Sequence, residues 1–185
     1  MKGYKNLSKQ CFLKNEFSLV PIRNEDRYDI MKWRNDQIYH LRQNKPLNKI
    51  DQDAYFNNVI SALFEKHNPD QILFSFLKDE ECIGYGGLVH IDWINENAEI
   101  SFVLKTEDEL LYFRKYWNVY LKLIENIAFI ELNFHKIYVY AFDLRPHLYE
   151  VLIESNYFKD AVLKNHVIIK DKYIDIIIYS KIRHL

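Results

Sequence analysis

The sequence predicts a single domain of mixed α/β class, built on a twisted and mostly antiparallel sheet. The main observation is a βαβ unit, in which a strand over 98–104 leads to an amphipathic helix over 116–130 and back to a strand over 136–142. A three-strand meander precedes this unit and a β-hairpin follows it. A chain of 185 residues with 49% hydrophobic side chains can bury one sizeable core.

The remaining elements follow from apolar spacing and from turn residues. Apolar residues at helical spacing predict helices over about 25–33 and 51–67, separated by an irregular loop over 38–48. Runs bounded by turn residues predict strands at 17–23, 71–78, 82–93, 158–170 and 172–180. We interpret residues 17–185 as the domain and residues 1–16 as an N-terminal arm, which is either frayed or added to a sheet edge as a strand.

Composition and charge argue against several classes of protein. A formal net charge of −1 gives no case for a nucleic-acid partner. No apolar run approaches the roughly 20 residues of a membrane span, and residues 1–14 lack the apolar core of a signal peptide. Cys11 and Cys82 lie far apart and have no metal or redox spacing. We therefore expect a cytoplasmic protein without a bound metal, a membrane segment or a disulfide framework.

Glu99 is the leading candidate for a catalytic residue. A buried strand rarely holds a carboxylate without a reason, and Glu99 lies near the start of the strand over 98–104. A half-buried carboxylate can have a raised pKa and accept a proton as a general base. Strand alternation places Glu99 on the face of the sheet that Ile100 and Phe102 do not occupy. This placement fits a catalytic glutamate in a cleft and a glutamate that faces solvent equally well.

Four stretches together resemble the GNAT superfamily, the Gcn5-related N-acetyltransferases. In chain order they are Glu81-Cys82-Ile83-Gly84-Tyr85-Gly86-Gly87, Ala98-Glu99-Ile100-Ser101-Phe102-Val103-Leu104, the helix-to-strand passage over 127–138, and Val151-Leu152-Ile153-Glu154-Ser155-Asn156-Tyr157-Phe158. This resemblance implies a GNAT fold whose fourth and fifth strands, those of Glu99 and Tyr138, splay apart. It also implies acetyl-CoA as co-substrate, with the backbone of Phe102, Val103 and Leu104 holding its pantetheine arm.

The connector before the long helix departs from the family pattern. GNAT proteins usually place glycines there, so that backbone N–H groups can approach the CoA pyrophosphate at the start of the helix. The matching positions here are Tyr112, Phe113, Arg114 and Lys115. We expect Arg114 and Lys115 to bind the pyrophosphate through their charges instead. Alternatively, Glu107 to Leu111 form an extra helical turn that faces away.

The resemblance assigns roles to further residues. The family's proton donor to the departing thiolate is a tyrosine that corresponds to Ile153. Tyr149, one turn earlier, is the candidate acid and can take this role only if the helix is shifted. Arg145 follows the fifth strand, where the CoA arm would pass, although Arg145-Pro146-His147 is equally typical of a simple helix start.

Three residues are candidates for binding the acceptor. His40 and Arg42 fall in the loop that covers the acceptor in this fold, and His90 lies on a strand facing the same cleft. Arg42 could pair with a phosphate or carboxylate of the acceptor. For His40 and Arg42 a solvated loop, and for His90 a structural histidine, are the alternatives.

The predicted function is transfer of an acetyl group from acetyl-CoA to a primary amine of a small acceptor. The stretches at 39–43 and 145–147 resemble a bacterial branch found near surface-polysaccharide genes, and Trp33-Arg34-Asn35 recurs in relatives that acetylate ribosomal protein ends or amino sugars. An amino sugar or nucleotide sugar is therefore the preferred acceptor. The alternatives are acetylation of a protein N-terminus, or a GNAT-shaped binding module without catalysis. The strands of the C-terminal hairpin could also form a homodimer.

Overall fold

A computed structural model describes residues 3–183 and shows one eight-stranded sheet in the order β1-β2-β3-β4-β5-β6-β8-β7. The strands are β1 Phe12–Lys14, β2 Phe17–Pro21, β3 Ile72–Lys78, β4 Glu81–Asp92, β5 Asn97–Leu104, β6 Lys136–Phe142, β7 Phe158–Ile169 and β8 Lys172–Ile182. All neighbouring pairs are antiparallel except β5 and β6. The predicted mixed α/β class is confirmed, and so is the order of the seven predicted strands along the chain, to which the structure adds β1.

Helices cover both faces of the sheet. They are α1 Arg27–Asp36, α2 Lys49–Ala54, α3 Ser61–Leu63, α4 Glu109–Glu125 and α5 Pro146–Glu154, and π-helical segments at Tyr55–Ile60 and Asn126–Glu131 join α2 to α3 and extend α4. On one face Phe102 stacks on Tyr120 of α4, with ring centroids 3.8 Å apart. On the opposite face Arg34 of α1 donates a hydrogen bond to the Tyr85 hydroxyl at 2.5 Å.

The N-terminal segment is part of the folded domain and is not a frayed arm. Phe12 pairs with Leu19, so β1 adds an edge strand to the sheet, as one of the two predicted alternatives proposed. Tyr4 is 2% exposed, and its hydroxyl donates a hydrogen bond to the Leu73 carbonyl at 3.0 Å. A buried aromatic ring with a satisfied hydroxyl ties this segment to β3.

The predicted splay between the βαβ strands is confirmed. β5 and β6 pair only from Asn97↔Lys136 to Glu99↔Tyr138. Beyond Glu99, β5 continues along β4 to Leu104, whereas β6 continues along β8 to Phe142. The two strands therefore diverge and leave a V-shaped cleft with Glu99 at its apex.

The prediction that the long helix starts near Tyr116 is wrong. A 3₁₀ turn at Thr106–Asp108 leads directly into α4 at Glu109, so most of the expected connector is helical. This agrees with the alternative of an extra helical turn. No glycine interrupts this stretch, and acidic residues are favourable at a helix N-terminus because they complement its dipole.

The C-terminal hairpin forms one end of the sheet. β7 pairs with β8, and among the described residues no strand covers its other side. This is the edge at which the sequence allows a homodimer. In the described part of the chain, no helix has the length and apolar character needed to cross a lipid bilayer.

Candidate active site

The cleft between β5 and β6 contains a cavity of about 160 Å³, which we call the splay cavity. Glu99 and Phe102 line it from β5, and Tyr140 lines it from β6. His40, Arg42 and Arg145 complete the wall from neighbouring loops. The fold therefore brings together five of the predicted site residues, Glu99, Phe102, His40, Arg42 and Arg145.

A second cavity of about 570 Å³, the outer cavity, lies beside the apex of the cleft. His90, Lys136 and Asp160 contribute to its lining. Glu99, Arg42 and Tyr140 line both cavities. A group at Glu99 can therefore act on molecules that enter from two separate sides.

Glu99 is 5% exposed, which excludes the alternative of a glutamate that faces solvent. Its carboxylate forms an ion pair with the Arg42 guanidinium. Burial raises the pKa of Glu99 to about 7, although the charge and the hydrogen bond of Arg42 act in the opposite direction. A carboxyl group with this pKa can accept and release a proton near neutral pH.

The loop that carries His40 and Arg42 is held in place by Trp33-Arg34-Asn35. Trp33 is buried, and Arg34 Nε donates a hydrogen bond to Gln43 Oε1 at 2.9 Å. Asn35 Oδ1 accepts a hydrogen bond from the Leu47 backbone N–H at 2.8 Å, and Asn35 Nδ2 donates to the Leu47 carbonyl at 2.9 Å. This motif therefore positions the Arg42 loop, and Arg34 itself also lines the splay cavity.

Arg42 lies over the ring of Tyr140, with its guanidinium carbon 4.7 Å from the ring centroid. Its side chain is 46% exposed, so water reaches one side of the guanidinium. The ring and the Glu99 carboxylate fix the orientation of the charge, while its exposed side faces the cavities. Arg42 can therefore bind an anionic group of a ligand while it stays paired with Glu99.

His40 lies against Arg145, with Nε2 3.2 Å from the Arg145 Nη1 atom. Burial lowers the pKa of His40 to about 3, and the charge of Arg145 acts in the same direction. His40 is therefore neutral at physiological pH and can accept a hydrogen bond from the guanidinium. The histidine contacts the protein's own arginine in the splay cavity, which differs from its predicted acceptor contact.

The backbone of β5 exposes alternate residues to the cleft. Lys105 N–H donates to the Ile83 carbonyl at 2.8 Å, and alternation in an antiparallel ladder then directs the Val103 backbone to β4 and that of Phe102 and Leu104 to the cleft. The prediction that Val103 presents its backbone to a ligand is therefore wrong. The Leu104 carbonyl accepts a hydrogen bond from Gln37 Nε2 at 2.7 Å.

Arg114 and Lys115 do not lie at the start of a helix, because α4 begins at Glu109. Arg114 is paired with Glu154 of α5, and Lys115 with Glu16 at 3.2 Å. Both side chains are more than half exposed, at 69% and 58%, and neither lines the splay cavity. The expected role of these two residues at the helix N-terminus is corrected accordingly.

Tyr149 also lies away from the splay cavity. Its hydroxyl is 3.3 Å from the Phe142 carbonyl and 3.1 Å from Asp143 Oδ1, and its ring stacks on Tyr179. Burial and the neighbouring Asp143 carboxylate raise the pKa of Tyr149. Ile153, at the position of the family's tyrosine, is 58% exposed.

His90 lies in an irregularity of β4, where the pairing with β5 shifts between Val89 and Asp92. Its φ of 49° is in the left-handed region, which a residue with a side chain seldom adopts. A bulge of this kind redirects the side chain from the regular strand pattern. The His90 side chain lines the outer cavity beside Glu99, as its predicted role in acceptor binding requires.

Three further residues at the cleft were missed by the sequence reasoning. Tyr140 lines both cavities, Gln37 is buried against β5, and Glu109 pairs with Arg145 at 3.0 Å. Strand alternation between Tyr138 and Tyr140 could have indicated the first. The other two depend on helix boundaries that local spacing did not reveal.

The divergent strand pair leaves unpaired backbone groups along β5, where an extended ligand can pair as an added strand would. Residues 19–178 match the family model of an acetyltransferase (GNAT) domain. The match covers most of the chain. The protein therefore belongs to the GNAT acetyltransferase family, and the predicted class of acetyl-CoA-dependent acyltransferase is confirmed at the level of the family.

Solved structures share the fold at low sequence identity. A spermidine N-acetyltransferase from Vibrio cholerae, in complex with CoA and spermine, has a TM-score of 0.76 at 19% identity, and the match covers 91% of this chain and 96% of that chain. Mutant forms of the spermidine/spermine N-acetyltransferase SpeG from Vibrio cholerae give 0.74 at 18%, covering 91% and 95%. A probable acetyltransferase gives 0.74 at 14%, covering 94% and 97%. No curated protein matches the chain.

Proposed function

We propose that this protein transfers the acetyl group of acetyl-CoA to a primary amine of a small acceptor, with Glu99 as the general base. The observation that carries this proposal is the place of Glu99 on the wall shared by the splay cavity and the outer cavity. The donor would lie between the diverging strands and the acceptor in the outer cavity. The pKa of Glu99 is raised to about 7, so its carboxylate can accept a proton from an ammonium group near neutral pH.

The unpaired backbone of β5 supports the binding of the donor. Phe102 and Leu104 direct backbone groups into the cleft, where an extended amide chain such as pantetheine could pair as an added strand would. Gln37 already occupies the Leu104 carbonyl, so the Phe102 N–H and carbonyl and the Leu104 N–H are the groups we assign to the donor.

The reaction we propose is direct transfer in a ternary complex. Glu99 takes a proton from the acceptor ammonium, and the free amine forms a C–N bond with the thioester carbonyl carbon. The C–S bond then breaks, and the nitrogen releases its second proton, which replaces the proton that the acid gives to the thiolate. The departing thiolate then needs a proton. Tyr140 lines both cavities, whereas the hydroxyl of Tyr149 is 3.1 Å from Asp143 outside them. We therefore assign proton donation to Tyr140 in place of Tyr149.

For the acceptor we infer an amine that also carries an anionic group, of which an amino sugar phosphate or an amino nucleotide sugar is the preferred example. Arg42 and Lys136 line the outer cavity, and so do the carboxylates Glu99 and Asp160. The carboxylates suit the ammonium, and the two cations suit a phosphate. A polyamine such as the spermine bound by the Vibrio cholerae enzyme carries only positive charge, which these cations disfavour.

The test is a comparison of Glu99→Gln with the wild-type protein. Turnover should fall by roughly 10²-fold or more, while the Kd for acetyl-CoA measured by calorimetry stays within twofold. Glu65→Gln removes a surface carboxylate that lines neither cavity and is the control, with unchanged turnover expected. Unchanged turnover in Glu99→Gln would remove Glu99 from the mechanism, and no turnover or CoA binding in the wild type would favour a binding module.

Tyr140→Phe and Tyr149→Phe separate the two candidate acids. Tyr140→Phe should lower kcat by at least about tenfold, and Tyr149→Phe should leave it within twofold. The opposite pattern would restore the role of Tyr149.

The acceptor class is tested with a panel that contains glucosamine 6-phosphate, an amino nucleotide sugar, glucosamine and spermine. The two phosphorylated amines should give the highest kcat/KM. Arg42→Gln should reduce this value for the phosphorylated amines more than for glucosamine. Faster acetylation of spermine would overturn the acceptor class and leave the acetyltransferase proposal intact.

A further inference from the structure

Arg145 is a buried cation at the opposite end of the splay cavity from the outer cavity. It is 4% exposed and lies in the turn between β6 and α5, immediately before Pro146. Its side chain lines the same cavity as Glu99. A buried guanidinium is expensive to desolvate unless its charge is compensated, so its partners show what the site is built to hold.

The guanidinium has three partners and one free donor. Nη2 donates to both carboxylate oxygens of Glu109, at 3.0 and 3.2 Å. Nη1 faces the His40 ring, and the Phe113 ring centroid is 5.0 Å from the guanidinium carbon. Nε is buried and has no hydrogen-bond partner among the described residues. A neutral histidine and an aromatic ring leave Glu109 as the group that balances the charge.

Glu109 is the first residue of α4, so its carboxylate lies at the positive end of a 17-residue helix. The ion pair joins the start of α4, which follows β5, to the turn that follows β6. It therefore crosses the cleft between the two elements that continue the diverging strands. We call the Glu109–Arg145 pair the latch.

The two members of the latch differ in freedom. The Arg145 side chain is 5% exposed and is held by Phe113 and His40, whereas the Glu109 side chain is 19% exposed. Glu109 can rotate towards water, but Arg145 cannot leave without exposing the core beneath it. An incoming anion can therefore take the place of the carboxylate on an arginine that stays in position.

We propose that Arg145 binds a phosphate of the acyl donor and that Glu109 occupies this phosphate site until the donor displaces it. This inference rests on the proposed function, because it takes CoA as the donor. It explains how a chain without glycines in this turn can hold the phosphate. An arginine fork, with Nε still free, supplies the donors that backbone N–H groups supply elsewhere. The latch would then open only when a phosphorylated donor enters.

The test is calorimetric titration of the full chain with CoA, using Glu109→Gln and Glu107→Gln. Both changes remove one negative charge from the same turn, but Glu107 pairs with Lys32 and not with Arg145. The Kd for CoA should fall about tenfold in Glu109→Gln, because no anion competes for Arg145, and stay within twofold in Glu107→Gln. If the Kd for CoA changes equally in the two variants, or in neither, the proposal that Glu109 competes for the phosphate site is overturned.

Pantetheine and dephospho-CoA identify the group that binds. Pantetheine carries no phosphate, so its Kd should be the same in the wild type and Glu109→Gln. A gain with dephospho-CoA assigns the site to the pyrophosphate, and a gain with CoA alone assigns it to the 3′-phosphate. A gain with pantetheine would overturn the proposal, because the change would then only widen the cleft.

Thermal unfolding separates loss of fold from loss of the site. Glu109→Gln should unfold at a lower temperature than the wild type without ligand, and CoA should raise its Tm by more than it raises that of the wild type. CoA binding by neither protein would overturn both this inference and the proposed function. Equal binding by both would overturn the latch alone.

Discussion

The cleft has a carboxylate–arginine pair at each end, and the two pairs are arranged in opposite ways. At the apex the carboxylate is buried and the arginine is accessible, with Glu99 at 7% and Arg42 at 46% side-chain exposure. At the latch the arginine is the more buried partner, with Arg145 at 5% and Glu109 at 19%. In each pair one partner is buried and the other is more accessible to water.

This difference matches the chemistry expected at each end. At the apex, burial raises the pKa of the carboxylate and the neighbouring guanidinium lowers it, which leaves a pKa of about 7 that suits proton transfer. A buried arginine whose carboxylate can move away keeps a permanent positive charge, which suits the binding of an anion. The same two residue types therefore provide a base at one end of the cleft and a phosphate site at the other.

The largest expected difference is in stability. Glu109→Leu leaves Arg145 buried without an anion, and arginine cannot lose its proton, so the free energy of unfolding should fall by about 3–5 kcal/mol. Glu99→Leu leaves Arg42 partly hydrated and removes a buried carboxylate that is costly to ionise at pH 8, so it should not lower the free energy of unfolding. Urea unfolding of both variants at pH 8 measures the contrast. Equal losses would show that burial of the arginine does not distinguish the pairs.

The second prediction concerns stability and pH at the apex. The pKa of Glu99 is raised from its ordinary value of 4.5 to about 7, so between these pH values the folded state holds a proton that the unfolded state releases. Raising the pH through this window should therefore destabilise the wild type relative to Glu99→Gln, by up to ~3 kcal/mol.

Urea unfolding at pH 4.5 and pH 8 checks this effect. The difference in unfolding free energy between Glu99→Gln and the wild type should increase with pH. Glu65→Gln, on the surface, is the control and should show no such trend. A difference that decreases with pH would mean that Arg42 outweighs burial and holds the carboxyl ionised.

The third prediction concerns the effect of Arg42 on the pKa of Glu99. The charge of Arg42 lowers the pKa of Glu99, so Arg42→Gln should move the rising limb of kcat/KM against pH from about 7 to higher pH. Glucosamine, which has no phosphate to contact Arg42, is the acceptor to use. Lys136→Gln removes a cation that pairs with Asp160 in the same cavity, and it should leave the limb in place. If the rising limb of kcat/KM stays at the same pH in Arg42→Gln, the ion pair with Arg42 does not control the pKa of the catalytic base.

The apex could be predicted from sequence because it depends on local patterns. Apolar runs and turn residues gave the order of the strands, and the carboxylate of Glu99 stood out in an apolar strand. The resemblance to GNAT proteins added the splay, which the pairing of β5 with β6 confirms. Burial of Glu99 could not be read from alternation alone, since it depends on the loop that carries Arg42.

The latch was not predicted, because it joins residues that are distant in sequence. The sequence predicts either a connector or an extra helical turn at Glu109, and it favours Arg114 as a phosphate ligand, whereas Arg114 lies on the exposed side of α4. Extending α4 back to Glu109 rotates Arg114 away from the cleft. Arg145 was included among the donor-binding candidates by its position alone. Its buried environment, formed by Phe113 and His40, required the folded chain.

The smallest expected effect lies between the two ends, at Gln37. This side chain is 3% exposed and donates from Nε2 to the Leu104 carbonyl at 2.7 Å and to Thr106 Oγ1 at 3.2 Å. Gln37→Met should lower the free energy of unfolding by about 1 kcal/mol, because a buried acceptor loses its donor.

Gln52→Met is the matched control, since Gln52 is equally buried and donates to the Arg27 carbonyl at 2.7 Å away from the cleft. Both variants should lose similar stability in urea unfolding, but only Gln37→Met should change the Kd for CoA, because it returns the Leu104 carbonyl to the cleft. Since pantetheine amides can donate to that carbonyl, the Kd should fall by up to about threefold. Equal CoA binding by both variants would show that the donor does not use this part of β5.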